Sequence, residues 1–124
     1  MIHTLLVSSD PEFFKGLEPE FNASGIEFNT ETTGKAALEK LPIDLLIVDE
    51  NLKDMEAKAF IEAVITQSPM TNCVVASPRS KKSFHDFYEG YGVLMQFPAW
   101  PKDDQAKKLI AHLNRIQMLQ TQVR

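Results

Sequence analysis

The sequence predicts one α/β domain in which helices cover both faces of a five-stranded parallel sheet. Five short apolar runs of strand length alternate with segments whose apolar residues recur at helical spacing. The connections between these segments are short, and parallel strands that follow one another need helical crossovers of this kind. With 124 residues, of which 44% are apolar and 24% charged, the chain has the size and composition of one globular domain.

The first strand and helix are predicted at the start of the chain. The short apolar run from Ile2 to Val7 is the strand. Asp10 followed by Pro11 is typical of a helix start, with an N-cap and a proline at the first helical position. Pro19 is expected to kink this helix and Gly25 to end it. Its apolar residues at helical spacing are Phe13, Phe14, Leu17 and Phe21.

Two further strands and one helix are predicted in the next segment. Ile26 to Asn29 forms the second strand, and Thr33 caps a helix that Pro42 ends. The apolar residues of this helix are Ala36, Ala37, Leu38 and Leu41. The third strand is Ile43 to Val48, a continuous apolar run typical of a strand that is buried on both faces of a parallel sheet.

The remaining elements alternate in the same way. Strand four is Cys73 to Ala76, strand five is Val93 to Gln96, and the last helix runs from about Lys102 towards Arg124. Gly90 and Gly92 are expected to end the helix between those two strands. The apolar residues of the third and fourth helices are Phe60, Ile61, Val64 and Ile65, then Phe84, Phe87, Tyr88 and Tyr91.

Asp49 is the leading candidate functional residue because it ends the buried third strand. Open parallel sheets bind ligands at the carboxyl ends of their strands, so this carboxylate is expected beside a ligand crevice. There it is a candidate nucleophile for phosphoryl transfer. The alternative is that Asp49 only stabilises the turn after the strand, where aspartate is common.

The order and spacing of these elements, from Ile2 to about Arg115, resemble the receiver domain of bacterial two-component response regulators. Asp44 to Ala57 is similar to the family's third strand, phosphoacceptor aspartate and following loop. Gly90 to Pro98 is similar to its fifth strand and terminal lysine-proline. The resemblance implies a flavodoxin-like, doubly wound sheet of strand order 2-1-3-4-5 with five helices. It implies a receiver-like domain at residues 1–116 and a C-terminal helix extension at residues 117–124.

The active-site positions of the receiver family match less well. The resemblance places Asp49 at the phosphoacceptor position and Ser77 at that of the hydroxyl which ends the fourth strand. Ser8 and Ser9 stand where receivers have the two acids that hold magnesium together with the phosphoacceptor. Phe97 stands where they have a lysine. The chemistry around Asp49 is therefore expected to be weak or lost.

We expect Mg²⁺ to bind weakly, and no other cofactor to be needed. Magnesium prefers a compact oxygen site that includes one or two carboxylates, and serine hydroxyls carry no charge to replace them. If the metal binds at all, Asp10, Asp49 and Asn51 are its expected ligands. Without metal the transferring phosphoryl group is not neutralised. Enzymatic activity is then limited to slow autophosphorylation and autodephosphorylation at Asp49.

Two cations are candidates to replace the missing lysine. Arg79 and Lys53 are expected on loops beside the predicted crevice, where they can bind an anion. The simpler interpretation of the basic run that Arg79 opens is a solvated helix start. Phe97 is expected to fill the vacated lysine pocket by apolar packing.

Five residues are candidates for a protein interface. Receivers signal through the surface of the fourth helix, fifth strand and fifth helix, and aromatic enrichment is typical of interfaces. The candidates on this surface are Tyr88, Tyr91, Trp100, Leu109 and Ile116, although the aromatic cluster of the fourth helix is expected to lie mostly in the core. We expect a protein partner, either a sensor kinase or an output protein, or a homodimer through the apolar positions of the last helix. The simpler interpretation of that helix is an ordinary amphipathic end.

Composition and motifs argue against other classes. A net charge of −4 gives no reason to expect nucleic-acid binding, and no apolar stretch approaches the roughly 20 residues of a membrane span. Cys73 is the single cysteine, which excludes an intramolecular disulfide and favours a reduced, cytoplasmic setting. A flavin-binding protein of similar fold is disfavoured because the loop after the first strand lacks a phosphate cradle.

Two functions remain. The first is an atypical receiver-like signalling module of a two-component (phosphorelay) system, which acts through protein–protein interaction with weak or absent phosphorylation. The alternative is a divergent but working receiver that a histidine kinase phosphorylates on Asp49. The missing acid pair and lysine favour the first.

Overall fold

The computed structural model describes residues 2–116 and contains one five-stranded sheet. The strands are β1 His3–Val7, β2 Glu27–Glu31, β3 Leu45–Asp49, β4 Asn72–Ala76 and β5 Met95–Phe97. Their order is β2-β1-β3-β4-β5, and every neighbouring pair is parallel. The flavodoxin-like order that the sequence predicted is therefore confirmed.

Five helices connect and cover the strands. They are α1 Glu18–Ala23, α2 Gly34–Leu38, α3 Ala57–Gln67, α4 Lys81–Phe87 and α5 Asp103–Arg115, with a 3₁₀ turn at Lys15–Leu17 just before α1. None of the helices within residues 2–116 has the length and apolar character needed to cross a membrane.

The strands separate two apolar layers. Side chains alternate across a strand, so Leu45 and Ile47 of β3 face one layer while Leu46 and Val48 face the other. The first layer contains apolar residues of α1 and α5, and the second contains those of α2, α3 and α4. All five residues of β3 are buried, as its uninterrupted apolar run predicted.

The start of the first helix differs from the prediction. Asp10 does not cap an α-helix; its carboxylate accepts a hydrogen bond from the Glu12 N–H at 2.8 Å within a turn. The regular helix begins only at Glu18, so Pro19 lies in its first turn and does not kink it. Proline is tolerated there because the first N–H groups of a helix have no intrahelical acceptor.

Two other boundaries also shift. The Thr33 cap is confirmed, since its hydroxyl accepts a hydrogen bond from the Ala36 N–H at 3.1 Å. However, α4 ends at Phe87 and β5 begins at Met95, both different from the prediction. The chain between them turns through Gly90 and Gly92, whose φ angles of 86° and 66° suit glycine. The predicted extension at residues 117–124 lies outside the described residues.

The register brings the strand ends together. Asp49 is opposite Ala76, and Ala76 is opposite Phe97. The residues that follow β1, β3 and β4 therefore meet at one edge of the sheet, the edge at which parallel sheets bind their ligands.

Candidate functional site

Asp49 lies at the carboxyl end of β3 and is only 6% exposed. Its Oδ2 accepts a hydrogen bond from the Ser8 hydroxyl at 2.9 Å, and its Oδ1 accepts one from the Asn51 N–H at 3.0 Å. Both donors are neutral. Within residues 2–116 no cationic side chain forms an ion pair with this carboxylate.

The serines at the positions of the acid pair have structural contacts of their own. The Ser8 hydroxyl donates to Asp49 and accepts from the Asp10 N–H at 3.1 Å. The Ser9 hydroxyl accepts from the Lys53 N–H at 3.1 Å, which ties the loop after β1 to the loop after β3. These hydroxyls therefore organise the two loops around Asp49.

The residues around Asp49 do not fit a magnesium site. Asp10 is exposed and its carboxylate is used within its own turn, so it does not join Asp49 in a shared site. Among the described residues no group of three or more His, Cys, Asp and Glu side chains is placed to hold a metal ion. A divalent cation here would meet one carboxylate, the smallest number with which proteins usually hold magnesium, and neutral hydroxyls in place of a second, so weak binding is expected.

Glu50, which the sequence analysis did not single out, is the carboxylate at the centre of this edge. Its Oε1 accepts from Arg79 Nε at 2.8 Å and from the Tyr88 hydroxyl at 2.7 Å. Its Oε2 accepts from the Ser77 hydroxyl at 3.0 Å. The Glu50 side chain is 11% exposed, so these contacts form largely away from water.

Ser77 lies at the predicted edge and is buried, but its hydroxyl is directed to Glu50. The backbone around it is fixed from the other side by β5. The Ser77 N–H donates to the Phe97 carbonyl at 2.9 Å, and the Gln96 amide donates to the Ser77 and Arg79 carbonyls at 3.2 and 2.8 Å. The loop between β4 and α4 is thus held between Glu50 and Gln96.

Solved structures that superpose on this chain include receiver domains. The chemotaxis response regulator CheY4 of Vibrio cholerae superposes with a TM-score of 0.78 at 18% identity, covering 91% of this chain and 98% of that one. The REC domain of AraT, a response regulator from Geobacillus stearothermophilus, gives a TM-score of 0.80 at 16% identity, with coverage of 96% and 98%. A CheY-like receiver domain protein from Methanospirillum hungatei gives 0.77 at 18%, with coverage of 93% and 95%.

The chain has a receiver fold. No protein-family model matches the sequence, and no curated protein matches it either. The likeness is therefore one of structure at low identity, and it establishes the fold.

The cations predicted beside the receiver crevice are not placed around Asp49. The Arg79 guanidinium pairs with Glu50 and stacks on the Phe87 ring, with Cζ 3.7 Å from the ring centroid. This corrects the prediction that it takes the place of the lysine at Asp49. Lys53 is exposed and contacts the site through its backbone N–H. Ser80 caps α4, so the basic run is a helix start, as the simpler interpretation held.

Phe97 occupies the receiver lysine position as a core residue. Its ring is buried in the layer formed with α1 and α5. Leu94 and Met95 are partly buried against the same layer. The apolar packing predicted for Phe97 is therefore confirmed.

Two of the predicted interface residues are in the core. Tyr88 follows the last residue of α4 and is buried in the second layer, with its ring against those of Phe84 and Phe87. Leu109 is fully buried on the inner side of α5. Neither is available on the surface of this fold, which corrects the prediction for both.

The other three predicted interface residues are exposed to different degrees. Trp100 is 50% exposed and Ile116 is 46% exposed. Tyr91 is partly exposed, and its hydroxyl donates to Glu62 at 3.0 Å. The accessible apolar groups among the candidates are therefore Trp100 and Ile116.

Two tyrosines and the cysteine have raised pKa values. Burial is the main cause of the raised pKa of Tyr88, and its hydrogen bond to Glu50 adds to it. The hydrogen bond to Glu62 raises the pKa of Tyr91. Both phenols therefore stay protonated and donate at neutral pH. Burial raises the pKa of the Cys73 thiol to about 11, since Cys73 lies within the second apolar layer.

Proposed function

We propose that this receiver-fold domain is an atypical signalling module of a two-component system that acts by binding other proteins and does not depend on phosphorylation. The observation that carries the proposal is that two adjacent carboxylates have partners of different charge. Asp49 has only neutral donors, whereas Glu50 takes the hydroxyl of Ser77 and the cation of Arg79.

Phosphoryl transfer to Asp49 would need charged partners at Asp49 and not at Glu50. Catalysis of this reaction consists almost entirely of positioning and of neutralising the charge on the transferring group. Asp49 has neither a second carboxylate to share a metal nor an ammonium group, because Ser8 and Phe97 stand at those positions. A phosphoryl group on Asp49 would add negative charge at a buried site with nothing to balance it.

The second candidate function is a divergent receiver that a histidine kinase phosphorylates on Asp49. The position of Asp49 favours it, since the carboxylate ends β3 and is oriented by two hydrogen bonds. The burial of this carboxylate and its lack of a charge partner count against it.

The partner of such a module is proposed to be a protein, either a sensor kinase or an output protein, or a second copy of this chain. Trp100 and Ile116, each about half exposed, are the predicted interface residues that remain accessible to such a partner, and aromatic and apolar side chains are enriched at interfaces. We expect the module to work in the cytoplasm, where the thiol of Cys73 stays reduced.

Intact mass spectrometry after incubation with acetyl phosphate and magnesium tests the proposal. The expected result is no phosphorylated species in the native chain above the level found in Asp49→Asn. Stoichiometric addition of a phosphoryl group that Asp49→Asn abolishes would establish the second candidate in its place.

A further inference from the structure

Glu50 gathers donors from two separate parts of the chain. Ser77 and Arg79 belong to the loop between β4 and α4, and Tyr88 follows the last turn of α4. A hydroxyl, a guanidinium and a phenol together form a binding site for an oxyanion, and the carboxylate of Glu50 occupies it. The chain thus contains both an anion site and its ligand.

The Ser77 hydroxyl has a single proton to donate, and Glu50 receives it. The oxygen of the same hydroxyl accepts the Arg79 N–H at 3.1 Å, so both functions of the group are in use. Asp49 lies at the end of the neighbouring strand, opposite Ala76. An anion formed on Asp49 would therefore have to compete with Glu50 for this donor.

We propose that Glu50 is a built-in anion which occupies Ser77 and Arg79, withholds these donors from any anion formed on Asp49, and so holds α4 in one position whatever the state of Asp49. This inference rests on the proposed function, for which it supplies the structural basis. Glu50 is in this sense a positioning residue.

The contact extends from Glu50 to the body of α4 through Tyr88. The Tyr88 ring packs against those of Phe84 and Phe87, with centroid distances of 4.7 and 4.8 Å. Phe87 in turn lies under the Arg79 guanidinium, which is itself paired with Glu50. The carboxylate therefore fixes the helix at its two ends, by the loop before it and by the tyrosine after it.

Removing the Glu50 carboxylate should make both ends of α4 more mobile. In Glu50→Ala the hydroxyls of the buried Ser77 and Tyr88 lose their acceptor and the partly exposed Arg79 loses its ion pair, and buried groups left without a partner are costly. We expect backbone amide exchange in residues 77–88 to become about tenfold faster, while exchange in β1 changes little.

An added anion should slow amide exchange in residues 77–88 of Glu50→Ala again. The cavity left in Glu50→Ala has the size of a small carboxylate, so sodium acetate should restore slow exchange saturably, whereas sodium chloride at equal ionic strength should not. In the double variant Glu50→Ala/Arg79→Gln the cation of the site is lost, and acetate should have no effect. Glu50→Gln, which keeps the shape without the charge, serves as a second variant if Glu50→Ala folds poorly.

Glu62→Ala is the matched control because it removes the other tyrosine–carboxylate hydrogen bond, that of Tyr91, without touching the loop after β4. Its exchange in residues 77–88 should match that of the native chain. The inference is wrong if Glu50→Ala and Glu50→Gln leave this exchange unchanged, or if acetate fails to slow it in Glu50→Ala. These outcomes are independent of whether Asp49 is phosphorylated, so the proposed function can fail separately.

Discussion

At the scale of single residues, two neighbouring acids have unlike roles because they lie at the end of a strand. Asp49 is the last residue of β3 and turns to the loop after β1, whereas Glu50 turns to β4 and α4. Hydrogen bonds to neutral donors orient the first carboxylate, and a cation balances the second. The position expected to carry the chemistry is thus the less well equipped of the two.

Magnesium binding tests this difference at Asp49. We expect no saturable signal in titration calorimetry of the native chain in the low-millimolar range, because one carboxylate and neutral hydroxyls hold the ion poorly. Replacing both serines, as Ser8→Asp/Ser9→Asp, should create measurable binding. Tight binding by the native chain would contradict the prediction, and Asp49→Asn in the double variant should abolish the new binding.

Tyr88 tests the Glu50 network by stability. Tyr88→Phe removes a part-buried hydrogen bond to a carboxylate and should lower the free energy of unfolding by about 1–2 kcal/mol. Tyr91→Phe removes an exposed bond of the same type and should cost less than about 0.5 kcal/mol in the same urea titration. Equal effects of the two substitutions would show that burial does not increase the stability which the Tyr88 hydrogen bond contributes.

The contribution of Tyr88 to the free energy of unfolding should fall at alkaline pH. Its pKa is raised in the folded chain, first by burial and then by the Glu50 hydrogen bond. The stabilisation is therefore complete below the unfolded pKa of about 10 and is lost as the pH rises above it. Tyr88→Phe should lose less stability than the native chain between neutral and strongly alkaline pH.

At the scale of elements, the short helix α2 depends on a residue from a different loop. Asp54, which follows β3, accepts the Gly34 N–H at 2.9 Å and the Lys35 N–H at 3.1 Å. Thr33 already caps the Ala36 N–H. The first turn of α2 is thus satisfied largely from outside the helix, as a helix of five residues requires.

Acid titration tests this cap. The Gly34 N–H is the largest cause of the lowered pKa of Asp54. The contribution of Asp54 to stability is therefore present above its unfolded pKa of about 3.9 and lost as the pH falls through the lower folded value. Asp54→Asn should lower the protection of the Gly34 and Lys35 amides, relative to their intrinsic exchange rates, at neutral pH, and should remove the loss of this protection in acid. Asp86→Asn, in the exposed pair with Lys82, is the control and should change neither.

At the scale of the whole molecule, the fold could be predicted because its signals are local. The apolar run of β3, the Thr33 cap and the glycines before β5 each specify their own segment. Glu50 could not be found in this way, because its partners Arg79 and Tyr88 are 29 and 38 residues away. Only the register of β3 with β4 and the early end of α4 bring them to it.

The burial of Leu109 and Tyr88 was missed for a related reason. An aromatic or apolar residue at helical spacing faces either the core or the solvent, and the sequence pattern alone does not say which when both faces carry such residues. The helix α5 packs on the 3₁₀ turn and on α1, and this contact decides that Leu109 is inside. Ile116, at the end of the same helix, remains 46% exposed.

Association of the whole chain is the last prediction. If Ile116 is part of a contact between two copies, sedimentation velocity should show a dimer at micromolar concentration, and Ile116→Glu should shift it to monomer because a buried charge would have no partner. Ile65→Glu is the matched control, since Ile65 is 41% exposed on α3, away from α5. A native chain that stays monomeric would exclude the homodimer and leave a different protein as the partner. Equal effects of the two substitutions would show that association depends on the total exposed apolar surface and not on a contact at Ile116.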